Sequence, residues 1–493
     1  MNPFKCLFGK TPDISPWDEQ RPLIKWNGVE PWTIGDSFEG VQVFGDTGSG
    51  KSSTSAKILA ATMLRAGYGG LVLTVKPDDS SDWKKWLAEN DRESDGIFFG
   101  QDAGLCFNFL DYELRRGKAM GLGIRNAALI LAELISLTQR SAGRTDDFWN
   151  HAANEMVSQV LELFMAAGEL PSLKLAKEVI ESAPKAGQAK DPLWQKDSKC
   201  YELIVNGRGR ATGNADFEQA ERYWLEQFPD MAEKTRSSIV ATFTASVARH
   251  FCPADVHRLF GERTTVRPED IFDGKILVVN LPVKTYGPAG RFANIVWKYC
   301  VQLAVERREN RERPVFIFAD ESHHFLTDND QLFQTTARSS RCCVVNLTQN
   351  LGNYFAQSPG DVGRYRVESL CNCLKTRIIH QCSDPRTRNW FADAIGKHRI
   401  KREDSESTSY GPGKPVPTYS EKLMDDYWVL PDMPTSLKTG GIANECQVSA
   451  IVTKAGKMFS GGKPAMRANF DQRNFEPGTG GGNTVVAIPK STE

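Results

Sequence analysis

Gly45-Asp46-Thr47-Gly48-Ser49-Gly50-Lys51-Ser52 is the stretch that decides how this chain is read. It satisfies the pattern G-x-x-x-x-G-K-[ST] at every fixed position. Val41-Gln42-Val43-Phe44, just before it, has the composition of a short buried strand. Ser53-Thr54-Ser55-Ala56-Lys57-Ile58-Leu59-Ala60-Ala61, just after it, is a helix sequence that stops near Gly67. Strand, glycine loop and helix make the geometry that holds polyphosphate. The glycines let successive backbone N–H groups turn inward, and the helix start adds the positive end of its dipole. In that geometry Gly45 through Ser53 cradle a nucleotide, Lys51 reaches its β- and γ-phosphates, and the Ser52 hydroxyl ligates Mg²⁺. ATP and Mg²⁺ are therefore the expected cofactors. The competing reading is a chance match in a glycine-rich turn, and the flanking strand and helix argue against it.

The rest of the chain sets limits. At 493 residues it is too long for one ordinary core, so two or three domains are expected. Lys plus Arg number 61 and Asp plus Glu number 61, so no global positive field draws in nucleic acid. Any DNA contact has to come from a local basic surface. The eleven cysteines lack disulfide-like spacing, which points to reduced thiols. The longest apolar run, Ala127 to Leu137, is short and carries Glu133, so no membrane insertion is expected. Met1 to Lys10 does not have the make-up of a signal peptide. These features together predict a cytoplasmic protein.

Along the chain, β-α alternation surrounds a helical middle. Gly70 to Val75 and Phe98-Phe99 read as strands following the P-loop unit. Apolar residues then recur at helical spacing in Ala127–Leu137, Phe148–Met165, Leu173–Ile180 and Glu218–Phe228. The polar stretch Ala183 to Asp216 reads as a loop. Strand-like runs return at Lys275–Asn280, Val315–Phe318 and Val344–Leu347, with an amphipathic helix over Arg291–Arg308. The simplest architecture is an α/β nucleotide domain interrupted by an all-α insertion.

An ATPase of this kind needs a carboxylate at the end of a strand beside the P-loop, and a base to orient water. Val315-Phe316-Ile317-Phe318-Ala319-Asp320-Glu321 supplies both, with Asp320 as the candidate for the Mg²⁺ shell and Glu321 as the catalytic base. A plain acidic turn after a strand is the alternative. The next strand ends in Thr348-Gln349-Asn350, where the Gln349 amide can report on the γ-phosphate, or simply cap the strand. Arg338 and Arg341 lie between these strands and are candidates for an arginine acting on a neighbouring subunit; two solvated arginines at a helix end are the alternative.

The order of these motifs resembles the HerA/FtsK superfamily of ring ATPases, and within it the TraG/TraD type IV coupling proteins of conjugation. Several shorter strings share the resemblance. Thr74-Val75-Lys76-Pro77-Asp78 stands at the family's Asp-x-Lys-Gly-Asp/Glu element, of which only Lys76 and Asp78 match. Phe107-Asn108-Phe109-Leu110-Asp111, Phe148-Trp149-Asn150-His151-Ala152-Ala153, Asn280-Leu281-Pro282, Leu430-Pro431-Asp432 and Gly461-Gly462-Lys463-Pro464 fall at further family positions. Arg338 precedes Gln349 by the spacing of the family's trans-acting arginine and glutamine, which favours Arg338 over Arg341. The resemblance implies a RecA-like P-loop motor domain with an all-α insertion. Residues 37–113 and 251–475 would form the motor, 114–250 the insertion, 1–36 an N-terminal arm and 476–493 a disordered glycine-rich tail.

It also implies a homo-oligomeric ring, hexameric by analogy, that moves DNA without sequence preference and works with a relaxase, a nuclease or a secretion channel. Family members usually begin with membrane helices, and no such run is present in this sequence. The alternative function is a P-loop NTPase serving as a scaffold, switch or protein-handling motor in a secretion or defence assembly. For DNA contact, the sequence offers Lys284–Arg291, which reads as a Gly-rich loop, and the basic run Lys397–Arg402; solvated loops are the alternative for both. His323-His324 reads as part of a polar loop rather than a metal pair. Cys342-Cys343 and Cys371-Asn372-Cys373 read as buried free thiols rather than a zinc site.

Overall fold

The computed structural model describes residues 15–101, 103–116, 122–141, 147–409, 416–473 and 484–485. Its strands are β1 (Pro22–Trp26), β2 (Glu30–Thr33), β3 (Val41–Phe44), β4 (Gly69–Leu73), β5 (Gly96–Phe99), β6 (Ile276–Val279), β7 (Val315–Ala319), β8 (Cys342–Thr348), β9 (Thr376–Ile379), β10 (Lys397–Ser409), β11 (Val416–Tyr427), β12 (Gln447–Lys454), β13 (Ala465–Asp471) and β14 (Thr484–Val485). A nine-stranded sheet runs in the order β13-β12-β9-β3-β8-β7-β4-β6-β5. The strands from β9 to β5 are parallel, and β12 and β13 close one side antiparallel.

The central strands are near-continuous apolar runs because both faces of a parallel sheet are covered. β3, β6 and β7 are buried at every position. On one face, Leu71, Leu277, Ile317 and Val344 join a core shared with the helix Val283–Arg307 and the helices between β5 and β6. On the other, Val72, Val278, Phe318 and Val345 pack with the helix Lys57–Arg65, with Trp83 and with the hairpin residues Trp26 and Trp32. The P-loop strand β3 lies between β8 and β9, so the loop after it opens at the carboxyl edge of the sheet, where ligands bind in such folds.

The described residues between Phe109 and Phe260 form helices, beginning with Phe109–Arg116, Leu122–Ser141, Asp147–Ala167 and Leu173–Glu181. The stretch Ala183 to Asp216, expected as a loop, departs from that reading. It contains the helices Pro192–Asp197 and Lys199–Arg210. The Asp191 carboxylate accepts from the Leu193 N–H and the Ser198 hydroxyl from the Tyr201 N–H, so both helix starts are capped. Cys200, Leu203 and Ile204 then recur at helical spacing and are buried.

Val283–Arg307 also differs from expectation. The Gly-rich segment Lys284–Arg291 is not an open loop but two helical pieces joined at Gly287, whose φ of 55° and ψ of −133° break the helix before Pro288. The helix beyond is not amphipathic in use. Asn294, Lys298 and Gln302 are as buried as Ile295 and Val296, because the helix is covered by the sheet on one side and the helical lobe on the other.

Among the described residues, no helix is long and apolar enough to cross a membrane. Most of the stretch expected as a disordered tail lies outside the described residues. Thr484 and Val485 within it pair antiparallel with β1. Within the stretch expected as an N-terminal arm, β1 and β2 form a hairpin on the sheet's core.

Candidate nucleotide site

Gly45–Ser52 turns directly out of β3, and a cleft of about 590 Å³ opens above it. The loop is anchored from both neighbouring strands. The Gly45 N–H donates to the Gln349 carbonyl after β8 (3.2 Å), and the Asp46 N–H to the Gln381 carbonyl after β9 (2.8 Å). Gly50 has a φ of 90°, and a Cβ there would fall on the Val448 side chain at 2.7 Å. That position therefore admits only glycine, both for its left-handed backbone and for the close approach of β12.

Lys51 is buried, and its ammonium donates to the carbonyls of Gly45 and Asp46. Burial lowers its pKa, against the opposing pull of Glu321 and Asp320. A partly desolvated cation held only by carbonyls is one that an incoming polyphosphate stabilises. The Ser52 hydroxyl donates to Asp320 Oδ2 at 3.0 Å. The hydroxyl and carboxylate named in the sequence as Mg²⁺ ligands are thus side by side, as a shared ion requires. Lys76 joins them, with its ammonium 3.3 Å from Asp320 Oδ2. Burial works to lower the Lys76 pKa, but Asp320, Asp79 and Glu321 together more than offset it, so the ammonium titrates above its usual value.

Glu321 follows β7 with a φ of 51°, a left-handed conformation uncommon for a residue with a side chain. Its carboxylate is buried. Oε1 accepts from the Gln349 amide at 3.4 Å, and Oε2 has no hydrogen-bond partner. Glu321 lines the polar cleft, so its carboxylate is placed to take the proton of an attacking water once nucleotide is bound. The strained turn is held by a polar chain inside the sheet. The Ser322 hydroxyl donates to the Leu347 carbonyl (2.9 Å) and contacts the Tyr354 hydroxyl, which donates to Gln42 Oε1 (3.2 Å). His323 Nδ1 lies 3.0 Å from the Thr348 hydroxyl and 3.6 Å from Glu321 Oε2. It therefore braces the ends of β7 and β8.

The structure gathers Gly45 to Ser53, Lys76, Asp320, Glu321 and Gln349 around one cleft. Three named positions fall elsewhere. Asp78 is exposed; the residue that caps that turn is Asp79, which accepts from the Val75 and Lys76 N–H groups at 2.8 Å each. Arg341 is structural, with its guanidinium over the Phe38 ring and donating to the Trp17 carbonyl. Arg338 stands at the opposite edge of the sheet, paired with Glu39 at 3.0 Å and with its side chain 67% exposed. The two candidate DNA residues of the helix start are also placed differently. Lys284 lines the nucleotide cleft. Arg291 is turned inward, donating to the His324 carbonyl (2.8 Å) and to Gln357 (2.9 Å), so neither forms an open basic loop. The basic run Lys397–Arg402 lies in the two-stranded ribbon β10–β11. Cys342, Cys343 and Cys371 are buried free thiols, and Cys373 is half-buried.

Other site residues carry no motif. Thr439, Gly440, Gly441 and Gln472 form the far wall of the cleft. His380, fully buried after β9, places Nε2 2.6 Å from the Ser55 hydroxyl. Burial, reinforced by nearby Lys51, lowers the His380 pKa from 6.5 to about 3. The unfolded chain therefore binds the proton more readily than the folded one. The stabilising contribution of neutral His380 is full above pH 6.5 and is lost as the pH falls towards 3. One such group changes stability by about 1.4 kcal/mol per pH unit within that window. Burial raises Asp79 to about 6 and Glu162 to about 7, and these carboxyls act in the opposite sense. The informative quantity is thus the difference between wild type and His380→Gln. Urea denaturation between pH 7 and 5 is expected to show a smaller acid loss in the variant; equal slopes would contradict the buried neutral histidine.

Comparison with known proteins agrees with this geometry. Residues 220–432 match the family described as the type IV secretion-system coupling protein DNA-binding domain. The bacterial conjugative coupling protein TrwBdeltaN70, in an unbound form, superposes with a TM-score of 0.62 at 15% identity, covering 93% of this chain and 91% of that one. The plasmid coupling protein TrwB with ADP and Mg²⁺ gives 0.60 at 15% identity, covering 93% and 91%. TrwB with the non-hydrolysable ATP analogue ADPNP gives 0.61 at 16%, covering 92% and 89%. No curated protein sequence matches significantly. The chain thus has the RecA-like P-loop fold of the conjugative coupling proteins, and its match to their DNA-binding domain bears out the resemblance to that branch of the HerA/FtsK ATPases.

Proposed function

We propose that this chain is an ATP-hydrolysing motor of the coupling-protein kind, moving DNA through a homo-oligomeric, hexameric ring in the cytoplasm. The observation that carries the proposal is the convergence of Lys51, Ser52, Asp320, Glu321 and Gln349 on one cleft, in a chain that also matches a coupling-protein DNA-binding domain. The titles of the TrwB structures, with ADP and Mg²⁺ or with ADPNP, support Mg·ATP as the ligand. In this reading residues 37–113 and 251–475 form the motor and 114–250 an insertion. A relaxase, nuclease or secretion channel would supply or receive the DNA.

The roles of the chain's own groups follow from their positions. Lys51 exchanges its two carbonyl acceptors for phosphate oxygens. Ser52 and Asp320 provide the hydroxyl and carboxylate that hold Mg²⁺, and the bound ion would draw charge off the phosphates. Glu321 accepts a proton from the attacking water through its carboxylate. Gln349, which touches both the P-loop through its carbonyl and Glu321 through its amide, ties the state of the phosphate to the end of β8.

A neutral chain with local basic surface binds DNA mainly through phosphate contacts, so affinity is expected to show little sequence preference and to fall steeply with salt. Lys397 and Arg399 are exposed in β10. Replacing both with Ala is expected to lower the slope of log affinity against log salt by about 2 for duplex DNA, at about 0.9 per contact. The check is fluorescence anisotropy over a salt series. Absence of duplex binding by the assembled protein at low salt would instead favour a P-loop switch or protein-handling motor.

A further inference from the structure

The sheet order divides the nucleotide cleft into two ends. Glu321, Gln349 and Lys76 come from the carboxyl ends of β7, β8 and β4, on one side of the P-loop strand β3. Thr439, Gly440, Gly441 and Gln472 come from the other side, beside β12 and β13. β12 lies two strands from β3, about 10 Å away at strand spacing. If the hydrolytic groups take the terminal phosphate, the remainder of the nucleotide extends towards this second wall.

That wall is built rather than incidental. Gln472 spans it: its amide Nε2 donates to the Ser53 hydroxyl at 2.8 Å, and its Oε1 accepts from the Gly441 N–H at 2.8 Å. The side chain therefore ties the first helical turn after the P-loop to the Thr439–Gly441 segment. Gly440 and Gly441 have φ values of 83° and 70°, and a Cβ on Gly440 would collide with the Gln472 amide. Glu445 and Cys446, which close the same loop, also have positive φ, at 56° and 58°. The loop is pinned in this conformation by Cys446 N–H to Gly441 carbonyl (2.7 Å), by Gly440 N–H to Gln447 carbonyl (3.0 Å) and by the Asn444 amide to the Thr439 hydroxyl (3.2 Å). Strained backbone held by this many bonds is what a preformed binding surface requires. Among the described residues lining the cleft there is no aromatic ring on which a base can stack.

We propose that Gly440, Gly441 and Gln472 form the sugar-and-base wall of the nucleotide cleft, and that they recognise the nucleoside without stacking, through the hydrogen-bonding capacity their internal bonds leave: the second Nε2 hydrogen and second Oε1 lone pair of Gln472 and the remaining lone pair of the Gly440 carbonyl. This rests on the nucleotide reading given above and adds where nucleoside affinity and purine choice are set. Recognition by one or two hydrogen bonds distinguishes purines weakly, so Mg·ATP and Mg·GTP bind within about tenfold of each other.

The test compares Mg·ATP, Mg·GTP and inorganic tripolyphosphate on full-length wild type, Gln472→Ala, Gly440→Ala and Lys51→Ala by titration calorimetry. Wild type is expected to bind both nucleotides more tightly than tripolyphosphate. Gln472→Ala and Gly440→Ala are expected to weaken both nucleotides about tenfold while leaving tripolyphosphate unchanged, the loss of one or two hydrogen bonds. Lys51→Ala is expected to weaken all three. Unchanged tripolyphosphate binding also shows that the wall variants are folded. The proposal is overturned if wall variants keep the wild-type ratio of ATP to tripolyphosphate affinity, if they lose both ligands equally, or if one purine binds far more than tenfold better. If wild type binds tripolyphosphate but no more weakly than ATP, the wall fails and the phosphate site stands. Binding of none of the three would overturn the nucleotide reading itself.

Discussion

Glu321→Gln is expected to lower ATP turnover by about a hundredfold or more while leaving Mg·ATP affinity near the wild-type value, the range for removing a general base. The amide matches the carboxylate in size, so the left-handed turn at Glu321 and its contact with Gln349 are retained. What is lost is the basicity of the carboxylate at the cleft. Lys51→Ala behaves differently. It removes the buried ammonium that donates to Gly45 and Asp46, so both binding and turnover are expected to collapse. Equilibrium binding with a fluorescent nucleotide, alongside phosphate-release kinetics, separates the two. Equal loss of affinity in both variants would contradict the assignment of Glu321 to water and Lys51 to phosphate.

Arg338→Ala is expected to reduce turnover on the order of a thousandfold, as loss of a trans-acting arginine does. Its position makes action within its own subunit impractical. Arg338 precedes β8 and pairs with Glu39, just before β3, whereas the cleft lies beyond Thr348 at the other end. Seven strand residues at about 3.3 Å each separate those edges by roughly 20 Å. If the exposed guanidinium acts on a nucleotide, that nucleotide is bound by another copy. Mixing Arg338→Ala with Lys51→Ala subunits creates some interfaces with an intact P-loop and an intact arginine, so activity should partly return. Glu39→Ala, which removes the ion pairs with Arg338 and Lys454 but keeps the Arg338 guanidinium, should keep turnover. Failure of mixed assemblies to recover any activity would leave Arg338 with a structural role alone.

The nucleotide half of the site was legible because its parts are contiguous. The P-loop carries its own strand and helix, and Val315–Glu321 carries a buried strand with two carboxylates at its end. Position within the sheet then brings Ser52 to Asp320 across 268 residues. The second wall was not legible for the same reason reversed. Gln472 meets Ser53 across 419 residues, and a lone glutamine at a strand end has no pattern. His380 reads as an ordinary strand residue until Ser55 faces it. The helices at Pro192–Asp197 and Lys199–Arg210 were hidden by their polar composition, although Asp191-Pro192 and Ser198 are recognisable helix starts. Lys284–Arg291 misled in the opposite way. Glycine, proline and two cations suggest an open loop, but Gly287 supplies one kink in a helix whose Arg291 is committed to internal carbonyl and amide acceptors.

The most direct test of a DNA-moving ATPase is the steady-state rate of phosphate release at saturating Mg·ATP, with and without duplex DNA at low salt, for wild type and Glu321→Gln. The expected result is hydrolysis by wild type that rises on adding DNA, with both the basal and the DNA-dependent rate lost in Glu321→Gln. Hydrolysis indifferent to DNA in an assembled protein, or a DNA-dependent rate that survives Glu321→Gln, would contradict it.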